Sequence, residues 1–355
     1  MVSNILYVLL AIVMLGIIVT VHEFGHYCVG RLCGIGIVEF SVGFGPRLLG
    51  WERKGIQYSL RAIPLGGYCA FVGEDESNDD PRAMNNQPLW KRFLTVLAGP
   101  FMNFVLAFVV CAIMLNTYYI AETYPVVNQV VEGMPAAEAG LLPGDRILSV
   151  NGTQISNDTA GVNQMIRVIQ SGDLTQSIDL TVDRGGKQLA FSISAVPVQQ
   201  EDGQPDRYQI GIVFSSRTFN FVESLREAGS YMVETTGMMI DSLKNLIFKG
   251  EGLEDTAGTV GIIALVAQQA REGMYMVLWL MFIISLNLGI MNLLPIPALD
   301  GGRLLFLIVE AIRRKPIPPE KEGTVHAVGM VLLLGLFLLL TYHDIVRLIS
   351  GGFRM

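Results

Sequence analysis

Long, nearly unbroken runs of apolar residues recur along this chain of 355 residues. A helix that crosses a lipid bilayer needs about 20 mainly apolar residues. Four segments meet this need: residues 5–29, 93–115, 274–294 and 325–342. The pattern predicts an α-helical polytopic membrane protein with about four transmembrane helices. The first segment has no basic residues before it and carries a polar cluster near its end, so we interpret it as a retained helix rather than a cleaved signal peptide.

Composition agrees with a membrane class, since 51% of the residues are hydrophobic and only 16% are charged. The net charge of −7 gives no support for binding nucleic acid. Lys and Arg residues concentrate in two stretches, 31–92 and 303–321, which the positive-inside rule places in the cytoplasm. We therefore predict a multi-pass protein of the inner or plasma membrane, with both termini and the long middle region outside the cytoplasm.

Residues 36–73, between the first two apolar segments, alternate apolar and polar side chains and are rich in glycine. This pattern is typical of several short strands joined by tight turns. Irregular backbone is tolerated at membrane depth only where protein buries it or where it lines a wet cavity. The sequence therefore predicts a membrane re-entrant β-sheet that packs near the polar cluster.

That cluster is His22-Glu23-Phe24-Gly25-His26, an H-E-x-x-H pattern. Residues four apart share a helix face, so both imidazoles can bind one zinc ion while Glu23 acts as the general base. Ionisable groups inside a membrane helix are costly and usually mark a functional site. The alternative is that these groups only hydrogen-bond to neighbouring helices.

Catalytic zinc usually has three protein ligands. Asp300 is the first candidate for the third, because Pro295 and Pro297 break the helix just before it and allow a side chain to point inward. His326 is the second candidate, at a similar expected depth, whereas His343 belongs to the opposite end of its segment. The alternative role for Asp300 is to cap the helix that follows.

The middle region has the composition of a soluble α+β domain, with short β-rich runs and one helical stretch at 160–169. Residues 139–152 follow the pattern A-G-L-x-x-G-D-x-I-x-x-V-N-G, which resembles PDZ domains of bacterial proteases. PDZ domains generally bind a peptide as an added strand. A domain that only packs or shields is the alternative. From 221 to 249 the apolar residues recur at helical spacing, which indicates amphipathic helices at the membrane surface.

Taken together, these segments resemble the site-2 protease family of intramembrane metalloproteases, in the branch of the bacterial regulator of sigma-E protease. The matching pieces are His22 to His26, residues 42–45, the Ala98-Gly99-Pro100-x-x-Asn103 motif, the PDZ signature and residues 287–302. The resemblance implies that His22, His26 and Asp300 bind Zn²⁺ and that Glu23 is the base. It also implies that Asn287 and Asn292 hold substrate or shape the site.

The expected organisation has four parts: an N-terminal membrane core (1–121), a single PDZ domain (122–198), an interfacial region (199–273) and a C-terminal membrane core (274–355). The expected activity is hydrolysis of peptide bonds within membrane-spanning segments of single-span proteins. Anti-sigma factors already trimmed outside and remnant signal peptides are the two substrate classes, and the PDZ domain would filter by size or bind a peptide.

An unwound substrate could pair with the re-entrant sheet near Gly43, Phe44 and Gly45. A metal transporter and a catalytically silent scaffold are the competing functions. A transporter has no use for Glu23 between two ligands, and a scaffold has no need of a complete catalytic set.

Overall fold

The computed structural model describes residues 2–74, 76–171, 177–198, 207–250 and 258–349. Its helices are α1 (Val2–Leu32), α2 (Leu89–Thr117), α3 (Pro135–Glu138), α4 (Thr159–Ser171), α5 (Phe221–Lys249), α6 (Thr259–Gln269), α7 (Met274–Asn292), α8 (Asp300–Arg313) and α9 (Pro319–Ile349). Its strands are β1 (Ile37–Arg53), β2 (Ile56–Phe71), β3 (Ile120–Val130), β4 (Arg146–Val150), β5 (Thr153–Gln154), β6 (Ile178–Arg184), β7 (Lys187–Ile193), β8 (Val196–Val198), β9 (Arg207–Gln209) and β10 (Ile212–Thr218).

The chain forms two compact units, one made of Met1–Met114 and Leu225–Met355 and the other of Leu115–Ser224. In the described residues, α1, α2, α7 and α9 are each long and apolar enough to cross a membrane. Large apolar side chains on α9, such as Val331 and Leu332, are 70% exposed. Such a surface is stable in lipid but not in water. The predicted multi-pass membrane architecture is therefore confirmed in its four apolar helices.

Residues 36–73 form one bent antiparallel pair, β1 with β2, instead of several separate short strands. Residue Glu39 lies opposite both Ala70 and Gln57, and Gly50 lies opposite Ser59. The two strands thus fold back into four adjacent segments, in the order 67–71, 37–42, 57–60 and 49–53. A single hairpin therefore forms a sheet that is four segments wide.

Gly43 and a polar cluster hold the bend of this sheet. The backbone of Gly43 has φ +90°, and a Cβ there would lie 2.8 Å from the carbonyl oxygen of Ile63, so a larger residue would be strained. Beside it, the Arg61 guanidinium donates to the Glu39 carboxylate over 2.9 Å and to the Tyr68 hydroxyl over 2.6 Å. Paired in this way, these polar groups are satisfied inside the sheet.

The second unit is a β-sheet with the order β10-β3-β4-β6-β7 and with β5 paired to β4. Helix α4 includes the helical stretch expected at 160–169. The core of the second unit contains fully buried residues such as Val150, Met165 and Val182. Strand β10 lies beyond residue 198 and pairs with β3, so the compact unit is longer at both ends than the interval 122–198.

The PDZ signature has a clear structural purpose in this unit. Asp145 is 1% exposed and accepts two hydrogen bonds of 2.7 Å from Arg184 and one of 2.9 Å from the backbone N–H of Leu142. These bonds, chiefly those from Arg184, hold the pKa of the Asp145 carboxyl below its usual value. The aspartate of the Gly144-Asp145 pair therefore ties the loop before β4 to the end of β6.

Candidate metal centre

Helix α1 brings His22 and His26 together on one face, as the spacing predicts. The two side chains are 7% and 8% exposed, and their ring centroids are 4.9 Å apart. The helix is an uninterrupted apolar segment from Ile5 to Thr20, just before the cluster. Two buried imidazoles need specific hydrogen-bond or ionic partners, because burying an unpaired polar group is unfavourable.

Asp300 reaches the same place from a break between two helices. Helix α7 ends at Asn292, and α8 begins at Asp300 itself. The helix cap is Leu299, and it provides no side-chain hydrogen bond. The Asp300 carboxylate instead lies 3.1 Å from His22 Nε2, so it faces the imidazoles.

The two glycines after Asp300 allow the connecting loop to fold closely over the first turn of α8. A Cβ on Gly301 would lie 2.1 Å from the carbonyl oxygen of Leu294, and one on Gly302 would lie 2.5 Å from that of Ile296. Neither position has room for a side chain. The Asp-Gly-Gly sequence therefore provides both a carboxylate that faces the imidazoles and the close packing that positions it.

Three potential ligand atoms converge at this point. His22 Nε2 is 3.1 Å and His26 Nε2 is 3.5 Å from Asp300 Oδ2, and the two nitrogens are 3.3 Å apart. Ligands placed 2.0–2.1 Å from a tetrahedral zinc ion are separated by about 3.3 Å. Among the described residues, this is the group of His, Cys, Asp and Glu side chains that could hold a metal ion. The residues present therefore fit zinc.

Close packing of α1 on α2 makes this geometry attainable. A Cβ on Gly25 would lie 2.3 Å from the carbonyl oxygen of Ala98, and one on Gly99 would lie 2.1 Å from His26 Nε2. Any side chain at either position would separate the helices or displace the imidazole. The Ala98-Gly99 part of the second-segment motif thus provides space for a histidine.

Two residues of α2 orient the imidazoles, and sequence reasoning did not assign them this role. His26 Nδ1 lies 2.9 Å from the carbonyl oxygen of Thr95, which can only accept, so Nδ1 carries the proton and Nε2 keeps its lone pair. Asn103 is fully buried with its amide 3.1 Å from His22 Nδ1. The only available signal was Asn103 itself, a polar residue in an apolar helix.

Only one of the two orientations of the Asn103 amide allows His22 to bind a metal ion. Its Oδ1 is buried and lacks a hydrogen-bond partner among the described residues, whereas Nδ2 faces the imidazole. A half-turn of the amide exchanges the two atoms. Oδ1 then accepts from His22 Nδ1–H, and His22 Nε2 is left free to bind metal.

We expect Asn103→Ala to weaken zinc binding by about 10- to 100-fold, as is typical when a partner of a metal-bound histidine is lost. Asn103→Asp should bind zinc nearly as well as the native chain, because a carboxylate accepts the same bond. Zinc retained against a competing chelator measures the effect, with Asn287→Ala as the matched control. Equal zinc affinity in the Ala, Asp and native proteins would show that Asn103 does not orient His22.

A cavity of about 380 Å³ opens beside the three ligands. Glu23, Phe44 and Asn292 line it, as do residues of β2 from Gly66 to Phe71. Gly43 and Gly45 are not part of its lining and instead form the bend that places Phe44 there, with φ angles of +90° and +81°. Asn287 is on an exposed face of α7, away from the cavity lining.

The two alternative histidine ligands lie outside the group. His326 Nδ1 accepts a 2.8 Å hydrogen bond from the backbone N–H of Ala298, whose φ of +75° marks the bend of the loop before α8. His343 is exposed near the far end of α9. Cys69 also lines the cavity, and burial raises the pKa of its thiol, so it remains protonated.

Comparison with known proteins identifies the family. The family model described as peptidase family M50 matches residues 10–336, nearly the whole chain. The chain belongs to peptidase family M50. This is the site-2 protease family that the sequence motifs resemble, so the predicted family is confirmed.

Curated relatives of this M50 chain agree with the family. A protein of Agrobacterium fabrum is 33% identical and covers 97% of each chain, and one of Mesorhizobium japonicum is 36% identical and covers 90% of this chain and 93% of its own. A protein of Clostridium perfringens is 32% identical over 96% of this chain and 99% of its own. All three bear the name "putative zinc metalloprotease".

Among solved structures, the PDZ domain of the SdrC-like protein of Listeria monocytogenes covers 26% of this chain and 85% of its own, at 23% identity and a TM-score of 0.21. That score is too low to support a conclusion. Family membership and the relatives, by contrast, establish that the M50 chain is a zinc metalloprotease with several membrane helices.

Proposed function

We propose that this M50 protease hydrolyses peptide bonds inside the membrane-spanning segments of single-span proteins. The observation that carries this proposal is the location of the ligand group. His22 and His26 lie within α1, which is a candidate membrane span, and are buried rather than on a soluble surface. A substrate must therefore bring its peptide bond to the depth of that helix. His22, His26 and Asp300 would hold the zinc ion.

When bound there, zinc would lower the pKa of a water molecule and polarise the scissile carbonyl. Glu23 lies in the same cavity as His22, His26 and Asp300, and it is not one of the three residues that could hold a metal ion in the described part of the chain. It would take the proton from the attacking water and pass it to the leaving nitrogen. Asn292 lies on the cavity wall, where its amide can donate a hydrogen bond to the substrate carbonyl oxygen.

A membrane-spanning helix hides its carbonyl groups in its own hydrogen bonds, so it has to unwind before cleavage. Gly66, Gly67, Cys69 and Phe71 of β2 line the cavity, and the pairing of residues 67–71 with β1 occupies one edge of this segment. The other edge can pair with an extended substrate, in the way that peptides are added to exposed sheet edges, and at Phe71 the substrate would replace the Glu74 carboxylate, which accepts from the Phe71 N–H over 3.1 Å. Phe44 closes over Gly66, where a Cβ would clash with its ring. We infer that the substrate is held as a strand along residues 66–71.

Cys69 provides a direct test of this extended binding. In Glu23→Gln protein with Cys28, Cys33 and Cys111 changed to Ala, single cysteines scanned through a substrate span should form disulfides with Cys69 at positions two apart when a thiol oxidant such as copper–phenanthroline is added. Side chains two apart share a face in a strand, whereas those three or four apart share one in a helix. Electrophoresis of the cross-linked products gives the pattern. A period of three to four would rule out the strand, and no cross-link at any position would place the substrate elsewhere.

We propose that the protein lies in the inner or plasma membrane with the PDZ-like unit outside the cytoplasm, as the distribution of Lys and Arg suggests. Anti-sigma factor-like proteins and remnant signal peptides remain the substrate classes. A separate cavity in this unit, of about 610 Å³, is lined by Ile166 and Ile169 of α4 and by Ile212 to Phe214 of β10. An apolar groove beside an end strand fits an extended peptide. We infer that it captures the free end of a trimmed substrate.

Ile166→Lys should raise KM for a trimmed substrate by about tenfold and leave kcat unchanged, since a charge in this groove would be buried by the peptide. Leu142→Lys is the matched control, because Leu142 is similarly exposed at 50%, against 42% for Ile166, but is not in the groove. Steady-state cleavage rates provide the comparison. A change in KM that is equal in both variants, or absent from both, would mean that the groove does not recruit substrate.

A further inference from the structure

A second polar cavity lies at the end of α1, on the side of β1 and β2 formed by their turn. It has a volume of about 350 Å³ and is lined by Tyr27, Arg31, Trp51, Arg53, Lys54 and Tyr58. The metal-site cavity shares none of these residues. Three lining residues are cationic, three are aromatic, and none is acidic. Nothing in the proteolytic mechanism uses this group.

The aromatic residues form a fixed frame for the charges. Arg31 Nη1 donates a hydrogen bond of 2.5 Å to the Tyr27 hydroxyl, which lies 2.7 Å from the hydroxyl of Tyr58. The Trp51 ring stacks on Tyr58 with a centroid distance of 5.6 Å and an interplanar angle of 11°. These contacts reduce the entropy that would be lost when the cavity orders around a ligand.

Arg53 and Lys54 bring two more positive charges from the hairpin turn. Both side chains are exposed. Lys54 has φ +52° and Gly55 has φ +73°, the left-handed pair typical of a two-residue hairpin turn. The turn therefore fixes where these charges enter the cavity. Such a concentration of guanidinium and ammonium groups favours an anion, and a phosphate group in particular.

Exposed apolar side chains lie close in sequence to the residues that line the cavity. Leu48 and Leu49 of β1 are 63% and 62% exposed, and Leu32 at the end of α1 is 86% exposed. Because α1 is a candidate membrane span that ends at Leu32, we infer that this region lies at the depth where a bilayer changes from headgroups to acyl chains. Tyr and Trp side chains also prefer that depth. A ligand here needs both an anionic and an apolar part.

We propose that this cavity binds the phosphate headgroup of an acidic phospholipid, with the acyl chains lying against Leu49, which shares the strand face of Trp51. Arg31, Arg53 and Lys54 neutralise the phosphate, while the two tyrosine hydroxyls face the glycerol and the Trp51 ring lies against the acyl chains. The bound lipid holds the hairpin turn at a constant depth. Since the same two strands continue to the metal-site cavity, this contact anchors the sheet in the membrane.

Trp51 makes binding measurable in the full-length protein. The chain has three tryptophans, so Trp90→Phe with Trp279→Phe leaves Trp51 as the only indole. Bromine atoms on lipid acyl chains quench a tryptophan that they touch. The protein, in neutral detergent micelles, is titrated with brominated phosphatidylglycerol and, in parallel, with phosphatidylcholine carrying the same brominated chains. We expect half-maximal quenching at a concentration at least about tenfold lower for the acidic lipid, because three cations line the cavity and each favours an anionic headgroup.

Arg53→Gln with Lys54→Asn should abolish this preference, and Asn suits the left-handed backbone at position 54. Arg313→Gln with Lys315→Asn makes the same change of net charge at another basic stretch and should keep the preference. Equal quenching by the two lipids in the native protein would overturn the proposal, as would equal loss in both double variants. Displacement of the acidic lipid by millimolar inorganic phosphate would identify a site for free phosphate instead.

Discussion

Replacing Glu23 by Gln should reduce peptide cleavage by about 10²- to 10⁴-fold, the usual contribution of a general base, while zinc remains bound. Gln keeps the size of the side chain and can hold water, but it cannot accept the proton. Glu23 is in the cavity with the ligand group but is not one of the three converging residues. Cleavage of a purified single-span substrate and zinc content are measured on the same preparation.

Glu74→Gln is the matched control for this prediction. Glu74 lines the same cavity, and its carboxylate lies 3.3 Å from the Arg303 guanidinium, so it serves an ion pair rather than a water molecule. The Glu74 variant should retain most of the activity. If Glu74→Gln were the inactive variant and Glu23→Gln cleaved normally, the base would have been assigned to the wrong carboxylate.

The second large effect concerns the third ligand. Asp300→Asn should lower zinc affinity by more than the roughly 100-fold that loss of an outer hydrogen bond can cost, because it removes the charged ligand itself. The amide is neutral and binds zinc poorly, and two buried imidazoles alone leave the site incomplete. Zinc per protein, measured after equilibration with a competing chelator, reports the affinity without reference to activity.

His326→Gln tests the alternative ligand in the same assay. His326 accepts a backbone hydrogen bond from Ala298, so its replacement should disturb the loop before α8 but leave zinc in place. Loss of zinc in the His326 variant together with full zinc in the Asp300 variant would exchange the two assignments.

Much of the metal centre was predictable because it depends on local chain geometry. The spacing of His22 and His26 places them on one face of any helix, and the two prolines before Asp300 interrupt any helix. The partners of the imidazoles were not predictable in the same way. Contacts from Thr95 and Asn103 depend on how closely α1 packs on α2, which is decided by the absence of side chains at Gly25 and Gly99.

In the fold as well, features that depend on local sequence were predictable, and features that depend on contacts between distant residues were not. Long apolar runs identify membrane helices directly, since the bilayer requires a certain length. The β1–β2 sheet was expected as several strands, but glycine-rich alternation does not reveal that two long strands fold back on themselves. Asn287 also illustrates the limit: five residues before Asn292, it faces another direction on α7 because a helix turns 100° per residue. Its expected role in the site remains a prediction.

The central claim is that this zinc protease cuts inside the membrane, and the position of the cut tests it most directly. The native chain is reconstituted in liposomes with a single-span substrate, and the products are measured by mass spectrometry, with Glu23→Gln protein and a zinc chelator as controls. We predict a cut within the apolar span that disappears in both controls. A cut confined to residues outside the span, or one that persists in Glu23→Gln protein, would contradict the claim.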